Sequence, residues 1–311
     1  MVVSLLGVTG VAFGQAQNPE CMTNLSIYAE HCKVKNYEAA YEPWKMVYET
    51  CPGINKANFS LGEKILEHKI ENTSGAEKQN FIKELLTLYD KSTEYFPKNY
   101  PSADVASDKA SLLYDNKMAD DQQLYDMLSK AFKEDREDFD NPKALYLYFS
   151  SLVNLHESGK KDLQEVFDVY DDVTEKIEEE NEKYLQQINK LLPKEEAGTL
   201  TSKEKRRLRA YNSYSENYGK ISGSIDSKLG ALADCENLIP LYEKSFEEKK
   251  GDITWVKRAV GRMFAKECTD SPLFRKLFEA QLALEPSASA YLYGGTLKAK
   301  EGDNKGAIAD F

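Results

Sequence analysis

Residues 271–311 read SPLFRKLFEAQLALEPSASAYLYGGTLKAKEGDNKGAIADF. Within this stretch Phe274-x3-Phe278-x7-Pro286 is followed by Tyr291-x2-Gly294-Gly295, then Gly302-Asp303, then Ala307-x3-Phe311. Side chains four apart stack on one face of a helix, and a Pro shortly afterwards ends it. The same spacing occurs upstream as Ala40-x3-Trp44-x7-Pro52 and Leu85-x3-Tyr89-x7-Pro97. In each copy the first residue faces a partner helix, the aromatic fills the gap to the next helix pair, and the Pro terminates. One such pair cannot bury its apolar face alone, so pairs must stack on one another.

Outward from these copies the helical period persists. Apolar residues recur at three- and four-residue spacing, and strand-type alternation is almost absent. Breakers divide the chain into helices expected near 21–33, 37–50, 55–71, 75–95, 103–117, 120–138, 142–158, 162–192, 202–233, 236–249, 252–267, 271–284, 288–300 and from 303 onward. Asp162, Ser202, Asp252 and Asp303 stand where caps belong. The expected fold class is all-α, an α-solenoid of stacked helix-turn-helix repeats. Its expected core positions are Ala40, Trp44, Leu85, Tyr89, Phe274, Phe278, Gly295, Ala307 and Phe311.

These elements resemble the tetratricopeptide repeat, a helix-turn-helix of about 34 residues with a W-x2-L-G-x2-Y…A-x3-F…P pattern. Tyr291 to Gly295, Gly302-Asp303 and Ala307-x3-Phe311 match its first helix, turn and second-helix start. Asn36-Tyr37-x2-Ala40-x3-Trp44 and Pro52 match its second helix, and Leu282-Ala283-Leu284-Glu285-Pro286 matches its ending. The middle of the chain is divergent. The resemblance implies a scaffold that holds a peptide or partner helix in a groove. Some members of that family clamp a C-terminal carboxylate with basic residues. Leu25 and Ala29 stand where such a clamp would fall, so that ligand is not expected.

Two segments exceed ordinary repeat helices. Leu208, Tyr211, Ser215, Tyr218, Ser222, Ile225, Leu229 and Leu232 keep an unbroken heptad spacing. Val166, Tyr170, Val173, Ile177, Tyr184, Ile188 and Leu191 nearly do, with an irregularity at Glu180–Asn181. Pro193, Gly198 and Thr199 lie between them. Residues 162–233 therefore read as an antiparallel coiled-coil hairpin inserted as an arm projecting from the solenoid. Repeats flank it at 17–161 and 234–311, the last one incomplete. Lys203, Lys205, Arg206, Arg207 and Arg209 form a basic cluster, a candidate surface for an acidic partner. The hairpin is expected to bring it near the acidic run Glu175, Glu178, Glu179, Glu180 and Glu182, where solvated faces with weak internal pairing would also account for both.

Residues 1–16, MVVSLLGVTGVAFGQA, resemble the apolar core and cleavage region of a secretory signal peptide, although the usual basic start is missing. A buried first helix is the other reading. The stretch Phe-Gly-Gln-Ala-Gln resembles exported proteins of Bacteroidota-type bacteria, so an exported, periplasmic or envelope-associated protein is expected. Five cysteines are present. Cys21 opens one helix and Cys51 closes the next; Cys235 and Cys268 do the same. Antiparallel neighbours bring such ends together, so two disulfides are reasonable with Cys32 left over, against five buried thiols as the alternative. Asn24, Asn58 and Asn72 lie in N-x-[ST] sequons.

With 41 Lys+Arg against 52 Asp+Glu, a net charge of −11 and 41% hydrophobic residues, the chain can bury a core but does not suit nucleic acid or an anionic membrane surface. No transmembrane segment is expected in the mature chain. No phosphate loop, dinucleotide loop, nucleophile elbow or H-E-x-x-H is present, and His31, His68 and His156 lack ligand spacing. Asp138–Asp140–Asn141 has calcium-like composition without the Gly and distal Glu of an EF-hand. Neither enzyme activity nor a cofactor is expected. The expected function is a scaffold binding protein or peptide partners through its concave surface and the arm. A structural subunit of an envelope or secretion assembly is the alternative, and an enzyme with an unrecognised helical site the more remote one. Phe311 stands one turn into a second helix, so further helix pairs are expected beyond it.

Overall fold

The computed structural model describes residues 18–230 and 232–310; the expected signal peptide and Phe311 lie outside them. The described residues form α-helices joined by turns and by short 3₁₀ helices at Pro52–Ile54 and Cys268–Asp270, without strands. The helices are α1 Pro19–Lys33, α2 Tyr37–Thr50, α3 Ala57–Asn72, α4 Gly75–Tyr95, α5 Ser102–Asp115, α6 Asp121–Glu134, α7 Pro142–Glu157, α8 Leu163–Glu196, α9 Ser202–Leu229, α10 Cys235–Lys249, α11 Ile253–Ala265, α12 Pro272–Leu284, α13 Ala288–Lys300 and α14 Asn304–Asp310. Their starts are written in side chains. Asn18, Asn141 and Ser271 each cap a helix that begins with Pro, whose missing N–H falls where no intrahelical partner exists. Asp120 and Gln123 close a reciprocal capping box. Asp162, Asp252 and Asp303 accept first-turn amides. At α9 the cap is Thr201 rather than Ser202: its hydroxyl takes the Glu204 amide while Glu204 reaches back to the Thr201 amide.

Two compact units are present. The first comprises the described residues up to Lys160 together with Asp172–Ile221. In it each helix from α1 to α7 packs on the next, and α1 touches α3 as α5 touches α7. Successive first helices therefore line one side while second helices line the other, the arrangement of a solenoid of helix pairs. Ala40, Trp44 and Leu85 are fully buried and Tyr89 nearly so. Trp44 stacks on Tyr48 with ring centroids 5.1 Å apart and donates its indole N–H to the Asn58 carbonyl at 2.8 Å. It lies against Gly62, where a Cβ would come within 2.5 Å of the indole nitrogen. Asn58, read as a sequon, is wholly buried and donates to the Pro52 carbonyl.

The second unit comprises Lys161–Asp171 and the described residues from Ser222 onward. Here α10 to α14 pack in succession, and α10 touches α12. Phe274 and Ala307 are buried, as is Gly295, while Phe278 is half-buried because Leu277 fills the inward position of α12. Arg262 ties the start of α8 into this unit. Its guanidinium lies over the rings of Tyr170 and Phe167, 4.6 and 5.2 Å away, and donates to Asp171 and to the Tyr242 hydroxyl.

A disulfide joins Cys21 to Cys51 across α1 and α2, and another joins Cys235 to Cys268 across α10 and α11, with Cα separations of 6.4 and 5.4 Å. Cys32 is free and buried. Each bridge closes a loop of about 30 residues, whose loss of unfolded-state entropy corresponds to about 2–4 kcal/mol. The Cys235→Ala/Cys268→Ala variant should lose that much in urea denaturation. A loss below about 0.5 kcal/mol would mean the bridge does not form in the folded protein.

The hairpin departs from expectation in two ways. Helix α8 runs through Pro193 to Glu196, so the loop is 197–201, with Gly198 at φ +68°. Pro193 is tolerated because it falls in the exposed last turn, where only the Asn189 carbonyl loses a partner and Asn189 is itself exposed. Nor does the hairpin simply project. Its lower part in the first unit lies on the α6–α7 segment: Glu179 pairs with Arg136 at 2.8 Å, Lys176 donates to the Glu137 carbonyl at 2.8 Å, and the Tyr218 hydroxyl donates to the Asp140 carbonyl. Nearer the tip, Ile188, Leu200 and Leu208 form a small separate core. The seam irregularity at Glu180 is a buried Lys176–Glu180 ion pair of 2.6 Å.

Candidate functional site

The charged patch expected at the hairpin tip is present without its expected partner. Lys203, Lys205, Arg206, Arg207 and Arg209 occupy the first turns of α9 and lie on its solvent side. Among the described residues none of them forms an ion pair. Tyr184 meets Tyr214 and Lys194 meets Glu204, a register that sets 203–209 opposite 189–195 and away from the acidic run. That run is spent elsewhere. Glu175 and Glu179 engage Arg136, and Glu180 engages Lys176 and Lys183.

A cleft of about 450 Å³ in the first unit has a different character. One wall is the first turns of α5, with Asp104 and Asp108 one turn apart. The next is the 138–141 segment, where Asp140 lies beside Asn141, the cap of α7. The opposite wall is the hairpin, carrying Tyr184 from α8 and Tyr214 and Tyr218 from α9. Tyr184 has its ring centroid 5.1 Å from that of Tyr214 and 5.9 Å from that of Tyr218. Tyr218 is buried, whereas Tyr214 is 52% exposed. Burial pushes the Tyr184 and Tyr218 hydroxyls up, so both remain neutral at physiological pH.

Electrostatically the cleft is unbalanced. Burial, reinforced by Glu63, Asp104 and Glu67, raises the Asp108 carboxyl from 3.8 to about 7. Burial likewise raises Asp104 to about 6, helped by Asp140, Asp138 and Asp135. Asp140 is raised by burial and by Glu180, with Lys176 and Lys183 opposing. Both of those lysines already hold Glu180. Among the described residues no group of three or more His, Cys, Asp or Glu is placed to hold a metal ion, which includes the Asp138–Asp140 stretch. No helix among them is long and apolar enough to cross a membrane.

The raised carboxyls dictate a pH response. Between about pH 4 and 7 the unfolded chain releases these protons while the folded chain retains them, so the folded state binds more protons and stability falls as pH rises. A tenfold change in proton affinity corresponds to about 1.4 kcal/mol before solvent screening, and both side chains are partly solvated, so about 1–3 kcal/mol is expected for the two together. The melting temperature of Asp104→Asn/Asp108→Asn should exceed wild type at pH 7.5 and converge with it at pH 4. Parallel curves would show that both carboxylates are fully hydrated.

In the sequence Tyr184 and Tyr218 stand out only as seam residues, and Tyr214, Asp104 and Asp108 do not stand out at all. The available signal was an i,i+4 like-charge pair on one helix face, which ordinarily destabilises.

No protein-family profile and no curated protein matches the chain. Among solved structures, the chain is similar to a tetratricopeptide repeat protein from Parabacteroides merdae, at 14% identity over 94% of this chain and 91% of that one, with a TM-score of 0.34.

Proposed function

We propose that the protein is a non-catalytic scaffold, exported to the cell envelope, that binds a protein partner along the face built from its first helices. The observation supporting this is the cleft between α5, the start of α7 and the hairpin. It combines unneutralised carboxylates with an open aromatic ring, chemistry suited to recognition and lacking a nucleophile–base pair. A photo-crosslinking residue at Asn217, on the cleft, should capture a discrete partner in the native envelope. The same residue at Glu94, exposed on α4, should not. Equal labelling at both positions, or none, would overturn this reading.

A second reading, a structural subunit of an envelope or secretion assembly, draws on the five cations at the hairpin tip. Their placement at a helix N-terminus opposes the helix dipole, so an acidic partner would relieve a local electrostatic cost. Replacing all five with Gln should release the chain from envelope complexes while leaving Asn217 crosslinking intact.

A further inference from the structure

In the first unit several carboxylates that are half-buried or buried have cations. Glu84 has Lys45 at 2.9 Å, and Glu180 has Lys176 at 2.6 Å. More exposed ones are served too: Asp90 has Lys109 and Asp115 has Lys143, both at 2.6 Å. Asp104 and Asp108 have none among the described residues, although they share one helix face and one cleft with Asp140. Charges so placed are costly to desolvate and create a negative potential directed at the cleft. A carboxylate cluster alone would specify little. The facing wall is an independent feature. Tyr214 keeps half its surface open to solvent with its ring tilted against that of Tyr184, instead of being packed like Tyr218. Open ring faces attract cations through their quadrupole, and they favour organic cations, which shed water more readily than metal ions. The donor geometry does not assemble a metal site. The volume of about 450 Å³ accommodates a long side chain with its flanking backbone. Asn99 and Asn217, also lining the cleft, offer amides that match a peptide backbone rather than a free amine.

We infer that this cleft receives a Lys or Arg side chain of the protein partner, its cationic head between Asp104, Asp108 and Asp140 and its stem along Tyr184 and Tyr214. The inference rests on the scaffold reading and gives that partner its chemistry.

The test uses the full chain and blocked twelve-residue peptides of Ser-Gly-Lys repeats, with norleucine replacing Lys in the control and spermidine as the small-amine probe. Binding is followed by calorimetry at pH 7.5. The Lys peptide should bind about tenfold or more tightly than the norleucine peptide. Asp104→Asn/Asp108→Asn should abolish that preference; it removes charge repulsion and so should fold at least as well as wild type. Tyr214→Ala should weaken binding several-fold, whereas Tyr214→Phe, which keeps the ring, should stay within about twofold. Equal binding of Lys and norleucine peptides, or a preference untouched by the Asp variants, would overturn the inference. So would spermidine binding without peptide binding, which would make the occupant a free polyamine. If the Lys peptide fails while Asn217 still crosslinks a partner, the cation site falls and the scaffold reading stands.

Discussion

Replacing Trp44 with alanine should destabilise the first unit by about 3–5 kcal/mol in urea denaturation. The indole is wholly buried between the first and second helix pairs, stacked on Tyr48 and hydrogen-bonded to the Asn58 carbonyl. Its removal leaves a large cavity and also takes one hydrogen bond from that carbonyl, which sits in a segment already held by the buried Asn58 side chain. The neighbouring backbone supplies the converse test. A methyl at Gly62 would lie within 2.5 Å of the indole nitrogen and 2.7 Å of Leu88 Cδ1, so Gly62→Ala should overpack the same site and cost about 1–3 kcal/mol. The two effects should not add. With Trp44 truncated the methyl has room, and the double variant should be less destabilised than the sum of the single ones. A loss below about 1 kcal/mol for Trp44→Ala would show that the indole does not join the pairs.

Trp44 and Gly62 mark where the sequence could be read and where it could not. A large aromatic at fixed spacing after a small residue announces a helix-pair core, because apolar burial repeats with the helical period. The glycine that lets the backbone approach that aromatic carries no periodic signal. The helices and their order were legible for the same reason, down to boundaries within a few residues. Pro193 was misplaced because a proline in an exposed last turn forfeits little, so its breaking signal is weak there. Charged positions were the least legible. Glu180 interrupted the seam and read as a defect, but it is buried and paired. Asp104 and Asp108 carried no signal, because nothing in a linear sequence says that a hairpin about 80–110 residues later covers them. The hairpin's docking onto the α6–α7 segment depends on Arg136, Glu137 and Asp140, polar groups whose contacts are long-range and aperiodic.

Those contacts make Lys176 the most exacting probe of the hairpin. Its side chain is 3% exposed, donates to Glu180 at 2.6 Å and to the Glu137 carbonyl at 2.8 Å, and thereby joins α8 to the α6–α7 segment. Burial alone would push the Glu180 carboxyl up, yet the hydrogen bonds from Lys176 and Lys183 outweigh it and hold the carboxyl below its ordinary range. Lys176→Met leaves a buried carboxylate with only Lys183 at its edge and an unpaired carbonyl, and should cost about 3 kcal/mol. The loss should depend on pH with a definite sign. Without Lys176 burial dominates and the folded-state pKa of Glu180 rises above that of the unfolded chain. The folded variant then binds more protons than the unfolded one across the window between those values, and its stability falls as pH increases through it. The deficit relative to wild type should therefore be smaller at pH 5 than at pH 7.5. Lys176→Met/Glu180→Leu should recover most of the loss and remove its pH dependence, because an apolar pair of similar volume needs no desolvation. Lys183, 63% exposed, can turn to solvent when Glu180 is gone. Hydrogen exchange separates a local from a global effect: in Lys176→Met, amides of 172–188 and 211–221 should lose protection before those of α1 to α4. A loss under about 1 kcal/mol without pH dependence would mean that the pair is solvated and that the hairpin does not rest on this contact.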